Sequence, residues 1–200
     1  SALFNNGAYA IPGPIEDLSR AAMDAQFQAK FLGWHDLTVR LIPAMRAQGH
    51  GRIVNCSSVL GLISAPYRGS YCATKFAVEA WSDALRMEMR SAGIKVSLIE
   101  PGPIGTAFRP NAIKEFERWI DWEASARADE YRAGLLKRLH EGSGESRFEL
   151  PASAVTRKLI HALENPRPKA RYYVTTPTYV ADVLRRLLPT SVLDRIVERG

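Results

Sequence analysis

Arg52-Ile53-Val54-Asn55-Cys56-Ser57-Ser58 runs as an apolar strand into small polar residues, and Tyr71-Cys72-Ala73-Thr74-Lys75 begins thirteen residues after Ser58. A Tyr and a Lys four apart share one face of a helix, one turn from each other. An ammonium in that position stabilises a phenolate and lowers the tyrosine pKa from its reference of about 10. A phenol tuned in this way trades a proton with an alcohol or a carbonyl near neutral pH. A serine hydroxyl beside it, Ser58, can hydrogen-bond the same substrate oxygen. Ser57 is the rival for that place, one residue further from Tyr71.

Outward from this stretch the chain alternates strand and helix. Residues 2–6 read as a short buried strand, and Pro12, Gly13 and Pro14 mark a loop. Apolar Met23, Phe27, Phe31, Trp34, Leu37, Leu41 and Met45 at helical spacing predict a long helix over 19–48. Ser19 is its expected N-cap, with Asp17 as competitor. Pro43 is expected to kink or end its last part. A strand at 52–57, a helix at 71–91 and a strand at 94–100 follow. This alternation predicts parallel strands joined by right-handed helical crossovers. Beyond Thr106 the pattern changes. Helices are expected near 111–121 and 122–140, and a flexible stretch at Gly142-Ser143-Gly144. A helix from Pro151 to about Asn165, a strand at 171–175 and two terminal helices complete the chain. Residues 107–150 are too long for a plain connection and are expected to cover the substrate. A static hairpin packed on the core is the alternative.

With Pro101-Gly102-Pro103-Ile104-Gly105-Thr106 directly after the third strand, these elements resemble the short-chain dehydrogenase/reductase family. The serine, the Y-x-x-x-K and the P-G-x-x-x-T match in order and spacing. Asn5-Asn6-Gly7-Ala8 resembles the family's N-N-A-G with the last two residues exchanged. The runs G-W-H-D-L-T and S-S-V-L-G look most like hydroxysteroid or retinol dehydrogenase relatives. The resemblance implies an α/β fold: a Rossmann-like parallel sheet with helices on both faces. It implies an NAD(P)-dependent oxidoreductase interconverting a secondary alcohol and a carbonyl on an apolar small molecule, with NAD or NADP as cofactor.

By the same resemblance, Tyr71 is the acid/base group. Lys75 lowers its pKa and holds the nicotinamide ribose, and Ser58 orients the substrate oxygen. Asn6, Gly7 and Ala8 line the cofactor. Pro101 and Gly102 let the backbone pass close to the nicotinamide. The backbone at Ile104 and the hydroxyl of Thr106 meet its carboxamide. One departure stands inside the site: Lys30 replaces an asparagine that holds a proton-relaying water. Charged, Lys30 accepts no hydrogen bond and repels Lys75. It is expected to slow the reaction, or to point away and leave its place to water.

No Gly-rich phosphate turn is present in the chain. The expectation is a single truncated catalytic domain over 1–200, lacking N-terminal βαβ units of on the order of 60 residues and so inactive and a poor NAD(P) binder by itself. A natural short protein that covers the exposed strand edge by oligomerising is the alternative. Net charge is +6, with 27 Lys and Arg spread among 21 acids, so nucleic-acid binding is set aside in favour of solvated faces and an anionic cofactor. His35, His50, His140 and His161 lack metal-ligand spacing. Cys56 and Cys72 read as reduced thiols of a cytoplasmic protein. A homodimer or homotetramer through helices 19–48 and 71–91 is expected. Two other functional classes compete with an enzyme on this scaffold. One is a binding or scaffold protein with a spoiled site. The other is a membrane-peripheral protein using the apolar stripe Val180, Val183, Leu184 and Leu187, against which packing on a partner subunit is preferred.

Overall fold

The computed structural model describes residues 1–7, 9–141 and 147–198. Four parallel strands form the main sheet in the order β1 (Ala2–Asn5), β2 (Gly51–Cys56), β3 (Ile94–Glu100), β6 (Arg171–Tyr173). Register runs Leu3 to Ile53, Ile53 to Val96, and Ile99 to Tyr172. Side chains alternate between faces. Leu3, Ile53 and Val96 pack with Met45, Leu85 and Met89 on one face. Val54, Ile99 and Tyr172 pack with Ala154 and Ala162 on the other.

The first face is covered by α2 (Gly33–Ala47) and α3 (Gly69–Glu88), with α1 (Arg20–Phe27) packed against α3, and the second by α7 (Ser153–Glu164). Since the sheet keeps adding strands in one direction while α7 crosses the opposite face, this last crossover has the opposite hand to the first two. Such connections are rare, and this one follows the long excursion between β3 and β6. That excursion comprises β4 (Ile104–Gly105), α4 (Phe108–Trp119), α5 (Ala128–Glu130), a π turn at Tyr131–Leu135, α6 (Leu136–Glu141) and β5 (Leu150–Pro151), which pairs with β4. Phe116, Ile120, Tyr131 and Leu139 form a second core with Ile11 and Ala22. Helices α8 (Thr176–Leu187) and α9 (Thr190–Glu198) end the described chain.

Ser19 caps α1, its hydroxyl accepting from the Ala22 amide at 3.1 Å. The helix expected over 19–48 is divided in the structure. A π turn at Gln28–Leu32 separates α1 from α2, and α2 continues through Pro43 to Ala47. The inserted residue of a π turn shifts which side chains face inward, and here Lys30 is the one buried. The helix expected from 122 begins later, at Ala128, and the expected flexible stretch at 142–144 lies outside the described residues. Gly93, at φ +70, turns α3 into β3. A Cβ there would strike the Gly49 carbonyl, so both conformation and space require glycine.

Candidate active site

Ser58 follows the end of β2 and N-caps a short turn, its hydroxyl accepting from the Leu60 amide at 3.1 Å. The first turns of α3 carry Tyr71 and Lys75 on its sheet-facing side, 8% and 1% exposed. Lys75 Nζ donates to the Cys56 carbonyl at 2.6 Å and sits 4.9 Å from the Trp34 ring centroid. It lies 5.5 Å from the Tyr71 ring centroid. Ser58 is beside Tyr71, and its hydroxyl favours the phenolate. Ser57 is elsewhere: its hydroxyl lies next to Glu79 under Gly61.

The expected depression of the Tyr71 pKa is not what this arrangement produces. Burial dominates and pushes the phenol well above its ordinary value, with Ser58 opposing. Lys75 does not offset this burial, since its ammonium donates to the Cys56 carbonyl and is itself driven down by burial. Tyr71 is held here as a neutral phenol, the form that donates a proton.

Lys30 does not point away. It is fully buried, with Nζ 4.6 Å from the Tyr71 ring centroid and 4.8 Å from that of Tyr9. Nζ has no hydrogen-bond partner among the described residues. Burial, then the charge of Lys75, lower its pKa to about 6. At neutral pH it is an amine, so the expected fixed charge beside Lys75 is absent and its lone pair can accept a hydrogen bond. The π turn of residues 28–32 aims it, and nothing in the helical spacing of that segment announces the turn.

Asn6 and Gly7 are exposed at the end of β1. A Cβ at Gly7 would meet nothing within 4 Å, so the exchange with alanine is sterically free there. Ala8 lies outside the described residues. Gly102 lacks a side chain for a packing reason, since a Cβ would run into the Thr175 and Thr178 hydroxyls of the segment entering α8. Ile104 pairs with Leu150, and the Thr106 hydroxyl accepts from the Phe108 amide at 3.3 Å, at the start of α4. From α4, Phe108 packs edge-on against Tyr71 with centroids 5.4 Å apart.

Buried polar groups that the sequence reading passed over support this site. Asn5 donates to Asn55 at 2.8 Å and Thr38 at 3.2 Å, and Asn55 donates to Ser82 at 2.9 Å. These bonds tie β1 and β2 to α2 and α3. The signal was there, because an asparagine inside an apolar strand needs a partner. One turn beyond Lys75, Glu79 meets Arg171 at 2.9 Å, and Arg171 also binds Asp83 at 2.8 Å and Glu100 at 3.1 Å. One guanidinium faces three carboxylates; it holds Asp83 down, while burial raises Glu79 and Glu100. Glu100, fully buried and next to Glu79, is pushed up to about 9.

The short chain dehydrogenase family profile matches residues 1–116. The chain belongs to the short chain dehydrogenase family. It is 48% identical over 196 residues to the uncharacterized oxidoreductase YbbO of Escherichia coli strain K12, covering 98% of this chain and 66% of that protein. It is 31% identical over 202 residues to retinol dehydrogenase 16 of Mus musculus, covering 98% and 62%. A short chain dehydrogenase/reductase from Burkholderia phymatum, solved in complex with NAD, superposes with a TM-score of 0.71 at 26% identity, covering 93% and 64%. The chain thus spans between 62% and 66% of the length of these family members. No helix among the described residues is long and apolar enough to cross a membrane. No cluster of histidine, cysteine and acidic residues among them could hold a metal ion.

Proposed function

We propose that this short chain dehydrogenase interconverts a secondary alcohol and a carbonyl, with Tyr71 as the proton-transferring group and NAD or NADP as redox partner. The observation that carries the reading is the convergence of Ser58, Tyr71, Lys75 and Lys30 from β2, α3 and the π turn. The residues present fit the reacting end of a nicotinamide dinucleotide. Lys30 Nζ is buried and has no described partner, Lys75 lies alongside, and Gly7 leaves open space. Asn6, Gly7, Ala8, Lys75, Pro101, Gly102, Ile104 and Thr106 are the residues that would hold it. When bound there, the dinucleotide would supply or accept the hydride at the substrate carbon. Ser58 holds the substrate oxygen. Tyr71, kept as the phenol, gives its proton to that oxygen in reduction and takes it back in oxidation. Lys75 stabilises the phenolate left behind, and the Lys30 amine, once it has taken up a proton from solvent, can pass that proton on to it. Burial of the cluster excludes water and strengthens each of these interactions.

One observation favours a second reading, a binding protein without turnover: Lys30 occupies space directly beside the Tyr71 ring. Following nicotinamide absorbance with the complete protein and a series of apolar ketones separates the two. Turnover is expected. Tyr71→Phe should lower it by about two to four orders of magnitude while leaving the circular dichroism spectrum unchanged. Undiminished turnover in Tyr71→Phe would remove the phenol from the mechanism. No turnover in the native protein with any ketone would leave the binding reading.

A further inference from the structure

An opening lies just before the Tyr71 turn of α3. It is a cavity of about 650 Å³ whose floor includes Pro12, Phe116, Leu135 and Leu139. Three guanidiniums share its lining: Arg68 at the N-cap of α3, Arg109 next to the Phe108 that packs on Tyr71, and Arg138 on α6. Arg109 donates to the Glu141 carbonyl at 3.1 Å. Neither Arg68 nor Arg138 makes a side-chain hydrogen bond or ion pair among the described residues. Glu198, also on the lining, pairs with none of the three.

This arrangement is costly as it stands. Arg68 is half-buried, and burial together with Arg109 and Arg138 presses its pKa below the usual arginine value. Like charges brought together in a partly desolvated wall raise the energy unless an anion joins them. The backbone contributes too. Tyr67, immediately before Arg68, has φ 60, a left-handed conformation that non-glycine residues seldom adopt. Its carbonyl accepts from the Gly13 amide at 2.9 Å, which clamps the turn to the opposite wall. Strain of this kind is retained where a side chain must be aimed.

We infer that this cavity holds the acid group of an amphipathic substrate, a carboxylate or phosphate on an apolar chain whose carbonyl or alcohol reaches Tyr71. The inference rests on the oxidoreductase reading for the Tyr71 end and on the arginines for the acid. Guanidiniums bind both oxyanions through paired N–H donors, and the apolar floor receives the chain.

Calorimetric titration of the purified protein with decanoate, decyl phosphate and decanol tests it. At least one acid should bind roughly tenfold or more tighter than decanol, and which one does so separates carboxylate from phosphate. Arg68→Gln and Arg138→Gln should each weaken that acid by about tenfold and leave decanol unchanged. Arg138 is exposed, so its variant keeps the test open should Arg68→Gln fail to fold. Equal affinity for the three ligands, or acid binding unmoved in the folded variants, would overturn the inference. So would weakened NADPH binding with acid binding intact, since the arginines would then serve the cofactor. The titration does not depend on turnover. Acid binding without activity would sink the oxidoreductase reading and leave the anion site, whereas turnover without acid preference would sink the anion site alone.

Discussion

Lys30 shows how one side chain changes meaning once its surroundings are known. As a cation beside Lys75 it would oppose catalysis. As a buried amine it is a neutral acceptor at neutral pH, and it still destabilises the fold, because the unfolded chain carries it protonated. Its pKa falls from 10.5 unfolded to about 6 folded. Between those values the unfolded state binds more protons, so stability from this group rises with pH across that window. The penalty is complete below pH 6 and vanishes as pH passes the unfolded value. Lys30→Met should therefore stabilise the protein by on the order of a few kcal/mol near pH 6. The gain should shrink towards zero near about pH 10. Urea denaturation at the two pH values checks this, and a gain independent of pH would show that Lys30 is not titrating in the site.

Between elements, the junction of β6 with α3 depends on Arg171. It is the shared counter-charge for Glu79, Asp83 and Glu100, which come from α3 and β3. Removing one partner of a buried ionic cluster costs more than the pair contributes. Arg171→Met should lose roughly 3–5 kcal/mol at pH 7, whereas Glu100→Gln, which mimics the protonated acid, should lose far less. Chemical denaturation curves for the two variants give the comparison, and equal losses would contradict a protonated Glu100. The excursion from α4 to α6 is the other inter-element question. It touches Tyr71 through Phe108 and Ala112, shares a core with Ile11 and Ala22, and is tied to the segment before α1 by Ser125 and Tyr131 donating to Asp17 and by Arg127 on Glu16. We propose that residues 107–150 cover the substrate, a segment built apart from the sheet and able to open without disturbing it. Hydrogen exchange in 107–141 should slow when substrate and NADPH are added together. Unchanged exchange would leave a static hairpin. The hinge expected at Gly142 and Gly144 lies outside the described residues.

For the whole molecule, Leu37, Val39, Phe76 and Met87 remain exposed on α2 and α3, and apolar surface on neighbouring helices of this kind marks association. A homodimer or homotetramer is therefore predicted, and light scattering giving a monomer mass at tens of micromolar would refute it. At the same scale, a Lys75 four residues after Tyr71 on one helix and the alternation of strands and helices were legible in the sequence because they are local, whereas the apolar stripe read over 19–48 breaks at the π turn and leaves Leu37 exposed. Spacing along the chain fixes which face a side chain occupies, and motif order fixes the family. What the sequence could not decide depends on contacts between distant segments. The π turn that buries Lys30 lies against α3, and its own residue types do not announce it. The Tyr71 pKa follows from how completely α4 and the sheet exclude water, a sum over many separated groups. The arginines at 68, 109 and 138 read as solvated charges until the fold brings three helices around one cavity. Charge and burial act through space, so their consequences were settled only when the chain closed on itself.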